Sequence, residues 1–359
     1  MERSACDNSR EPLAFYGAWS YHISMINPKM HLNPDLFKPE VKLEAIRVGF
    51  GRGLLAAAHA DKNVVGLCAD LTESTRMIDF AQSYPDRFFE VGVAEQGLVT
   101  AAAGMALAGK VPFVSSYAAF SPGRNWEQIR TTVCINDVNV KIAGSHAGVS
   151  VGPDGATHQM LEDIALMRVL PRMTVVVPCD AVEAEKATRA VAAMVGPAYI
   201  RLAREKSPLV TMAETPFELG RAAVLRVPPE GRAADLTIAA CGLEVYQALV
   251  AAETLASEHG VEAEVINVAV IKPLDTTTII ASARRSGAVL TAEEHQAAGG
   301  LGGAIAELLT EQYPVPMIRV GLNDRFGESG TPDELLEYFG LTAPHLVKRA
   351  LELIKRKKA

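Results

Sequence analysis

Three stretches of the chain combine residue types and spacings that could do chemistry, and the first is a glycine-rich loop. Residues 144–163 read GSHAGVSVGPDGATHQMLED and place His146, Asp154 and His158 within 13 residues, directly after an apolar strand-like run. Two imidazoles and a carboxylate can transfer protons and bind hydroxyl groups. They could also ligate a metal, but no third histidine or close carboxylate pair completes such a site, so we predict none. The alternative is a surface loop of polar turn residues, and spacing alone leaves the two interpretations equal.

The second stretch places a carboxylate before a long run of small apolar residues. Residues 88–109 read FFEVGVAEQGLVTAAAGMALAG, with Glu95 between a strand-like run and the alanine-rich tract. The tract is apolar on every side, which predicts a buried helix with Glu95 near its N-terminus. An acid in a first turn stabilises a helix through its dipole by about 0.3–1 kcal/mol. A carboxyl group in an apolar pocket can instead exchange a proton with a ligand, and the pattern supports both roles.

The third stretch, VSSYAAFSPGRNWEQIR, places Tyr117 and Phe120 at the end of a strand. Strand aromatics are usually part of the core, and position alone favours that interpretation. The alternative is a flat wall against which a ring could stack.

Two glycine clusters resemble phosphate loops only superficially. GFGRG at 49–53 lies inside a helical pattern rather than after a strand, so it does not fit a phosphate loop. GGLGG at 299–303 follows a strand-like run but lacks a convincing acidic residue about 20 positions further on. We favour tight strand-to-helix packing over a dinucleotide site at this second cluster.

The elements that must position these residues alternate regularly between short apolar strands and helices. This alternation predicts an α/β fold with parallel sheets covered on both faces. A proline-rich break at 207–234 separates two such alternations, so we predict one domain over 41–210 and another over 220–359. Residues 1–40 contain four prolines without clear periodicity and are predicted to be an arm that lies on the body or on a partner.

Composition excludes several other classes of protein. The 359 residues carry a net charge of −7, which gives no basic footprint for nucleic acid. No segment reaches the roughly 18 consecutive apolar residues of a membrane span, and the N-terminus has no signal-peptide pattern. The dispersed cysteines predict reduced, buried thiols in a cytoplasmic protein. They are Cys6, Cys68, Cys134, Cys179 and Cys241.

Taken together, these stretches resemble the transketolase family of thiamine-diphosphate enzymes. The strings FFEVGVAEQG, FVSSYAAF, GSHAGVSVGPDGATHQ and PAYIRLAR match the pyrimidine-binding domain of that family in order and spacing. The string AVLTAEEHQAAGGLGGAIAE is similar to its C-terminal domain. The resemblance covers residues 41–345 and implies two doubly wound domains. The first would be a pyrimidine-binding thiamine-diphosphate fold with a parallel sheet, and the second a transketolase C-terminal-like α/β domain.

The resemblance implies roles for the residues around the cofactor. In this family a glutamate hydrogen-bonds N1′ of the aminopyrimidine and promotes the ylid at the thiazolium C2, and Glu95 occupies that position. Phe120 matches the aromatic that stacks on the pyrimidine, with Tyr117 beside it. The cofactor carries the carbanion chemistry, and the protein supplies placement and proton control.

The resemblance also implies a set of residues for the substrate. His158 matches the catalytic histidine near the substrate carbonyl, and Asp154 the acid that recognises a substrate hydroxyl. Four further positions hold a sugar phosphate in transketolases, and His146 among them is expected to take part in catalysis. These positions are Arg47, Ser74, His146 and Arg204. Two arginines with two hydrogen-bonding groups suit a phosphate dianion, and Arg201 is a neighbouring candidate.

The sequence departs from the family pattern in two places. The second aromatic of the pyrimidine wall falls on Gly123, and the adjacent Arg124 could face the substrate channel. The G-D-G motif with its later asparagine, which holds the diphosphate and Mg²⁺, is absent. The only similar string, GPDG at 152–155, lies in the histidine loop. We therefore expect a separate diphosphate-binding subunit that holds Mg²⁺ and shares thiamine diphosphate with this chain in an α₂β₂ assembly.

The implied activity is transfer of a two-carbon ketol unit from a ketose to an aldose, in the presence of that partner. A β subunit of a 2-oxo-acid dehydrogenase E1 component has the same two-domain plan, but it does not usually carry DGATHQ or the sugar-phosphate set. A 1-deoxyxylulose-5-phosphate-synthase-like activity and a non-catalytic assembly subunit are further alternatives. The residues leave the sugar unnamed: a phosphorylated substrate is favoured, and a sulfonated one could use the same cations.

Overall fold

The computed structural model describes residues 25–358 of the chain as alternating strands and helices. In chain order the strands are β1 (Leu43–Ala45), β2 (Val64–Cys68), β3 (Phe88–Glu90), β4 (Val111–Tyr117), β5 (Lys141–Ser145), β6 (Thr174–Val176), β7 (Ala198–Arg201), β8 (Lys206–Pro208), β9 (Ala223–Arg226), β10 (Leu236–Ala240), β11 (Ala263–Asn267), β12 (Val270–Lys272), β13 (Val289–Gln296) and β14 (Met317–Leu322). The helices are α1 (Ile46–Ala60), α2 (Ile78–Ser83), α3 (Glu95–Leu107), α4 (Trp126–Gln128, continued by a π-helical segment, Ile129–Cys134), α5 (Asp163–Arg168), α6 (Ala181–Ala193), α7 (Glu244–His259), α8 (Thr276–Ser286), α9 (Leu301–Gln312), α10 (Pro332–Tyr338) and α11 (Ala343–Lys358).

Seven strands form the first sheet, in the order β12-β6-β7-β5-β4-β2-β3. All neighbouring pairs are parallel except β12 with β6. In β2 the run VVGLC is buried at every position, as expected of a strand covered by helices on both faces. The predicted parallel sheet is therefore confirmed.

Five strands form the second sheet, in the order β14-β13-β10-β11-β9, and only β9 runs antiparallel to its neighbour. Strand β9 lies inside the proline-rich stretch 207–234. It is an edge strand, where prolines just beyond its end do not interrupt a ladder. The predicted fold class, two α/β domains with mainly parallel sheets, is confirmed.

The second half of the chain also contributes a strand to the first sheet. The apolar run VEAEVINVAV at 261–270 has the pattern of a single strand, but β11 ends at Asn267. Strand β12 follows and pairs with β6, with Val270 opposite Val176. The two domains are thereby joined by backbone hydrogen bonds as well as by side-chain packing.

Part of the predicted N-terminal arm lies against the second domain. Residues 1–24 are outside the described part of the chain. The Asn27 backbone N–H donates to the Leu225 carbonyl at 2.9 Å, and the Val227 N–H donates to the Met25 carbonyl at 2.9 Å. Leu36 is buried in the hydrophobic cluster of that domain. From residue 25 onward the arm therefore lies on the body.

The glycines of GFGRG allow two helices of the first domain to approach closely. A Cβ atom on Gly49 would lie 1.8 Å from the Ala181 carbonyl oxygen, and one on Gly53 would lie 2.7 Å from the Glu185 carbonyl oxygen. Helix α1 thus packs on α6 through its glycines. The run KLEAIRVGFGRGLLAAAHA at 42–60 has a helical pattern, but its helix begins only at Ile46, because residues 43–45 pair with β8.

Helix α3 is only half buried, which corrects the prediction of a helix surrounded by protein. Leu98, Val99 and Ala102 face the core, whereas Leu107 is 72 % exposed and Val93, just before the helix, is 69 % exposed. The exposed face carries the polar Gln96 and Thr100 among small or apolar residues. No helix within residues 25–358 is long and apolar enough to cross a membrane.

The described cysteines are free and buried, as predicted. Burial raises the pKa of the Cys134 thiol to about 11 and also raises the pKa of the others. Their thiolates are therefore scarce at neutral pH. These residues are Cys68, Cys134, Cys179 and Cys241; Cys6 lies outside the described residues.

Candidate active site

The predicted site residues follow the carboxyl ends of neighbouring parallel strands of the first sheet. This edge is where α/β folds place ligands, because the loops there converge. Ser74 follows β2, Glu95 follows β3, and Tyr117 ends β4. His146 follows β5, and Arg204 follows β7. Arg47 reaches the same edge from the first turn of α1.

Glu95 is the first residue of α3 and is 1 % exposed. Its Oε2 accepts a hydrogen bond from Nη1 of Arg124 at 2.7 Å, and its Oε1 is 3.5 Å from the Ser116 hydroxyl. Among the described residues no backbone N–H donates to this carboxylate, so it does not cap the helix. The buried charge is instead paired with a guanidinium that is 47 % exposed.

Tyr117 and Phe120 form an aromatic wall beside Glu95 rather than part of the core, so the placement favoured by position alone is wrong. Both are partly exposed, and their rings are stacked with centroids 6.2 Å apart. His146 stacks on Tyr117 at 3.8 Å, and the edge of His158 meets Phe120 at 5.5 Å. The structure therefore brings together both predicted histidines and both predicted aromatics.

His146 is buried and held in an unusual backbone conformation. Its φ of 57° lies in the left-handed region, which non-glycine residues adopt rarely and often at functional sites. The Ser145 hydroxyl lies 2.8 Å from its Nδ1. Burial, followed by the positive charges of Arg47 and Arg204, lowers the pKa of His146 to about 3. The imidazole is therefore neutral at physiological pH and can donate one hydrogen bond and accept another.

A cluster of arginines lies next to His146. Arg47 donates from Nε to the Arg204 carbonyl at 3.0 Å and from Nη1 to the Ser74 carbonyl at 2.6 Å. Arg204 donates to the Val151 carbonyl at 2.6 Å. Burial lowers the pKa of Arg47, and the charges of Arg76 and Arg204 lower it further. Like charges held together at the edge of the sheet favour an anionic ligand.

Arg76 belongs to this cluster, although the sequence argument did not single it out. It is exposed, has a φ of 64°, and follows Ser74 in the loop after β2. The only signal was its place two residues beyond a predicted phosphate ligand.

The loop that carries the histidines is fixed by residues of the second domain. Glu294 accepts a hydrogen bond from the Ser150 backbone N–H at 2.5 Å. Gln159 donates from Nε2 to the Glu328 carbonyl at 2.8 Å and also to the carbonyls of Val149 and Gly152. The second domain thus sets the position of the loop, a role that sequence spacing did not reveal.

Asp154 is the exposed acid of the predicted set. It ends the short 3₁₀ segment Val149–Asp154, and its carboxylate is unpaired among residues 25–358. Its open surroundings contrast with the burial of His146 and place it at the outer end of the loop.

Arg201 does not join the substrate cluster. It is 5 % exposed, its Nε is 2.9 Å from an oxygen of Asp163, and its Nη2 donates to the Met160 and Glu294 carbonyls. Protein acceptors surround its guanidinium, because β7 alternates its side chains and points Arg201 inward. It is a buried structural cation rather than a neighbouring phosphate ligand.

The departure at Gly123 has a steric cause. A Cβ atom there would lie 2.1 Å from the Ala119 carbonyl oxygen, so the turn excludes any side chain. The next residue, Arg124, lies over the ring of Phe120, with its Cζ 4.8 Å from the ring centroid. Arg124 therefore faces Glu95 and the aromatic wall instead of the substrate channel.

The donor set of this region fits an aminopyrimidine but not a metal-bound diphosphate. Glu95 and Phe120 already hold a planar nitrogen cation from the protein itself, which shows that the space accepts such a group. Within residues 25–358 no cluster of three or more histidine, cysteine or acidic side chains could hold a metal ion. The N-terminus of α9, after GGLGG, is occupied as well, because the Leu301 and Gly302 N–H groups donate to Glu293.

Fold and site together define a two-domain α/β chain whose first domain carries the candidate site along one edge of its sheet. Residues 44–209 match the family model described as transketolase, pyrimidine binding domain, and residues 226–346 match that of the transketolase C-terminal domain. The chain belongs to the transketolase family. These matches confirm two predictions made from the sequence: the class of enzyme, and a domain of the thiamine-diphosphate-dependent type.

Individual relatives are similar over almost their whole length. A 6-deoxy-6-sulfo-D-fructose transketolase subunit of Clostridium sp. (strain MSTE9) is 43% identical over 89% of this chain and 98% of its own. One subunit of the apulose-4-phosphate transketolase of Phocaeicola vulgatus is 38% identical over 87% and 98%. The solved structure of a split-gene transketolase, an inactive beta4 tetramer, has a TM-score of 0.80 and 45% identity, covering 87% of this chain and 99% of that chain.

Proposed function

We propose that the chain is the second subunit of a split transketolase, which transfers a two-carbon ketol unit from a ketose to an aldose together with a separate diphosphate-binding subunit. The single observation that carries this proposal is the arrangement of Glu95, the aromatic wall and the arginine cluster along one edge of one sheet. The names of the similar subunits from Clostridium and Phocaeicola support it.

In this proposal the chain provides one half of a shared cofactor site. Thiamine diphosphate supplies, when bound, the stabilised carbanion that ketol transfer requires. Glu95 would hold a proton at the pyrimidine N1′, and Phe120 and Tyr117 would cover the ring. The half-buried α3 would keep water away from Glu95 once a partner covers its exposed face.

The partner would supply Mg²⁺ and the diphosphate ligands. Oxygen ligands and phosphates are what Mg²⁺ prefers, and the part of the chain that the structure describes offers no such cluster. We propose an α₂β₂ assembly in the cytoplasm, with the exposed face of α3 inside an interface. The large exposed fractions of Val93 and Leu107 support an interface there.

The substrate would carry a terminal phosphate. Arg47 and Arg204, with Ser74 and His146 beside them, would bind the anion, while His158 would lie near the reacting carbonyl. Asp154 would reach a hydroxyl from the outer end of the loop. A sulfonate has similar tetrahedral oxygens, so an assay with matched phosphorylated and sulfonated ketoses decides between the two.

Calorimetry with thiamine diphosphate and Mg²⁺ tests the split-enzyme proposal. We expect little binding by this chain alone, and tight binding after addition of the subunit that carries the diphosphate-binding domain. Ketol transfer should appear only in the mixture. Strong binding and turnover by this chain alone would contradict the proposal, and turnover of 2-oxo acids instead of ketoses would reassign the reaction.

A further inference from the structure

One side chain already lies where a planar nitrogen-containing ring would have to lie in this site. Arg124 donates to Oε2 of Glu95 at 2.7 Å, and its Cζ lies 4.8 Å from the centroid of the Phe120 ring. A guanidinium is flat, carries N–H donors and stacks on aromatic faces. It therefore presents to Glu95 and Phe120 the two features that an aminopyrimidine would present.

The side chain of Arg124 can leave without moving the backbone. It is 47 % exposed, and among the described residues it donates hydrogen bonds only to Glu95. The next residue is fixed: Asn125 is buried and donates from Nδ2 to the Glu95 carbonyl at 2.9 Å and to the Ser121 hydroxyl at 3.2 Å. Rotation of one long side chain into solvent would thus open the space beside Glu95.

We propose that Arg124 is an internal competitor of the cofactor, which occupies the pyrimidine position of the free subunit and lowers its affinity for thiamine diphosphate. This inference rests on the proposed function. Burying an unpaired carboxylate costs several kcal/mol, so Glu95 needs a partner at every stage. Arg124 is that partner in the free subunit, and the aminopyrimidine replaces it when the cofactor enters the assembled site.

The substitution Arg124→Met tests this competition in the assembled complex. Methionine keeps the length and apolar cover of the arginine but removes the charge and the hydrogen bond. Calorimetry of the complex with thiamine diphosphate and Mg²⁺ should give a dissociation constant about tenfold lower for Arg124→Met than for the natural subunit. A hydrogen bond between charged groups is strong enough for a change of this size.

Two further variants show whether the effect belongs to this position. Arg124→Lys keeps the ion pair and should bind the cofactor within about threefold of the natural subunit. Arg130→Met removes an exposed arginine of the neighbouring helical segment and should change nothing. An affinity for Arg124→Met equal to or weaker than that of the natural complex would overturn the inference, since Arg124 would then be neutral or a cofactor ligand. Arg124→Gln repeats the comparison if the methionine variant does not assemble.

Thermal unfolding of this chain alone gives a readout that needs no partner. Arg124→Met leaves the Glu95 carboxylate buried and unpaired, so the melting temperature should fall, on the order of 4 °C. The double variant Glu95→Gln, Arg124→Met removes both charges and should recover most of that loss. If the double variant melts as low as Arg124→Met, the ion pair is not what holds Arg124 in place and the inference is wrong.

The two proposals fail in different ways. If the natural subunit and its partner bind no thiamine diphosphate, the proposed function fails, whatever the melting temperatures show. If the natural complex binds the cofactor and Arg124→Met does not bind it more tightly, only the competitor role fails.

Discussion

The two ends of the candidate site treat their charges in opposite ways. At one end the carboxylate of Glu95 is paired with Arg124. At the other end, within residues 25–358, Arg47 donates only to backbone carbonyl oxygens, those of Ser74 and Arg204.

A carbonyl oxygen accepts a hydrogen bond but carries no net charge, so Arg47 keeps its positive charge. An oxygen of Glu205 lies 3.4 Å from Nε of the neighbouring Arg204 and offsets part of the charge there, but Arg76 adds a third cation and the cluster stays net positive. The Glu95 end is closed, because the protein itself supplies the ion partner. The arginine cluster is the open end, because it can still bind an anion.

A third arginine shows what a purely structural pairing looks like. Arg226 in the second domain is fully buried, with its Nε 2.8 Å from an oxygen of Glu253 and its Nη2 3.3 Å from an oxygen of Glu262. Arg201 with Asp163 is a similar case. The two structural arginines are buried against carboxylates, whereas Arg47 is partly exposed and donates to carbonyl oxygens. Burial and partner together therefore distinguish a ligand-binding cation from one that holds the fold.

The largest effect expected is at the closed end, from Glu95→Gln. If Glu95 controls a proton on the cofactor, ketol transfer by the assembled enzyme should fall by about 10²–10⁴-fold, the usual contribution of a positioned acid or base. Size-exclusion chromatography should show an unchanged assembly, because the amide has the same shape. Turnover within tenfold of the natural enzyme would rule out the proton role.

Replacing the structural arginine, Arg226, should lower the stability of the fold and leave substrate binding unchanged. Arg226→Met leaves Glu253 buried without its partner, which should lower the free energy of unfolding by about 3–5 kcal/mol. The matched control is Arg232→Met. Arg232 is 46 % exposed and pairs with the same Glu262 at 3.2 Å, so its loss should cost less than about 1 kcal/mol. Urea unfolding measures both, and equal losses would contradict the distinction.

Much of the fold could be predicted from sequence because it follows from alternating apolar runs. Such runs specify buried strands whether or not their neighbours are known, as in β2. The short elements could not be predicted in the same way. Strands β1 and β12 form only because a distant segment offers a free edge, and a pattern of three residues does not encode that edge. The exposed face of α3 was missed because a tract of small residues reads alike in a core and in an interface.

The site could be predicted where its residues lie close together in sequence on one loop. It could not be predicted where residues far apart in sequence come into contact. His146 and His158 lie on one loop, so spacing alone raised them as candidates. The pairing of Glu95 with Arg124 joins residues 29 positions apart, and it depends on the turn that excludes a side chain at Gly123. The support of the histidine loop by Glu294 spans 144 positions, for which a single sequence carries no signal.

Removing a positive charge from the arginine cluster should lower activity with an anionic substrate much more than with an uncharged one. Arg47→Met should lower kcat/KM for a phosphorylated ketose by about 10–100-fold, since hydrogen bonds between charged groups contribute roughly 1.5–3 kcal/mol. With an uncharged ketose the change should be small. Arg52→Met is the control, because Arg52 is on the same helix and is paired with Glu44 and Glu185. Equal losses with both sugars would show that Arg47 does not bind the anion.

The smallest expected effect is the pH dependence of stability due to His146. It measures the electrostatics of the open end most directly. Its native pKa of about 3 lies below the ordinary value of 6.5, so between these limits the unfolded chain binds more protons than the folded one. Stability therefore falls as the pH is lowered through this window, by about 1 kcal/mol between pH 6 and pH 5 from this residue.

Urea unfolding at pH 6 and pH 5 should show that His146→Gln loses this part of the slope, whereas the exposed His59→Gln retains it. Other buried groups contribute equally in the natural protein and in both variants, so the difference between the slopes isolates His146. Inorganic phosphate bound at the arginine cluster would offset the positive charges that disfavour the imidazolium. The natural protein should then lose less stability on acidification, while His146→Gln shows no such reduction. An identical slope in the natural protein and His146→Gln would mean that burial and the arginine charges do not hold the imidazole neutral, and the contrast between the two ends would lose its electrostatic basis.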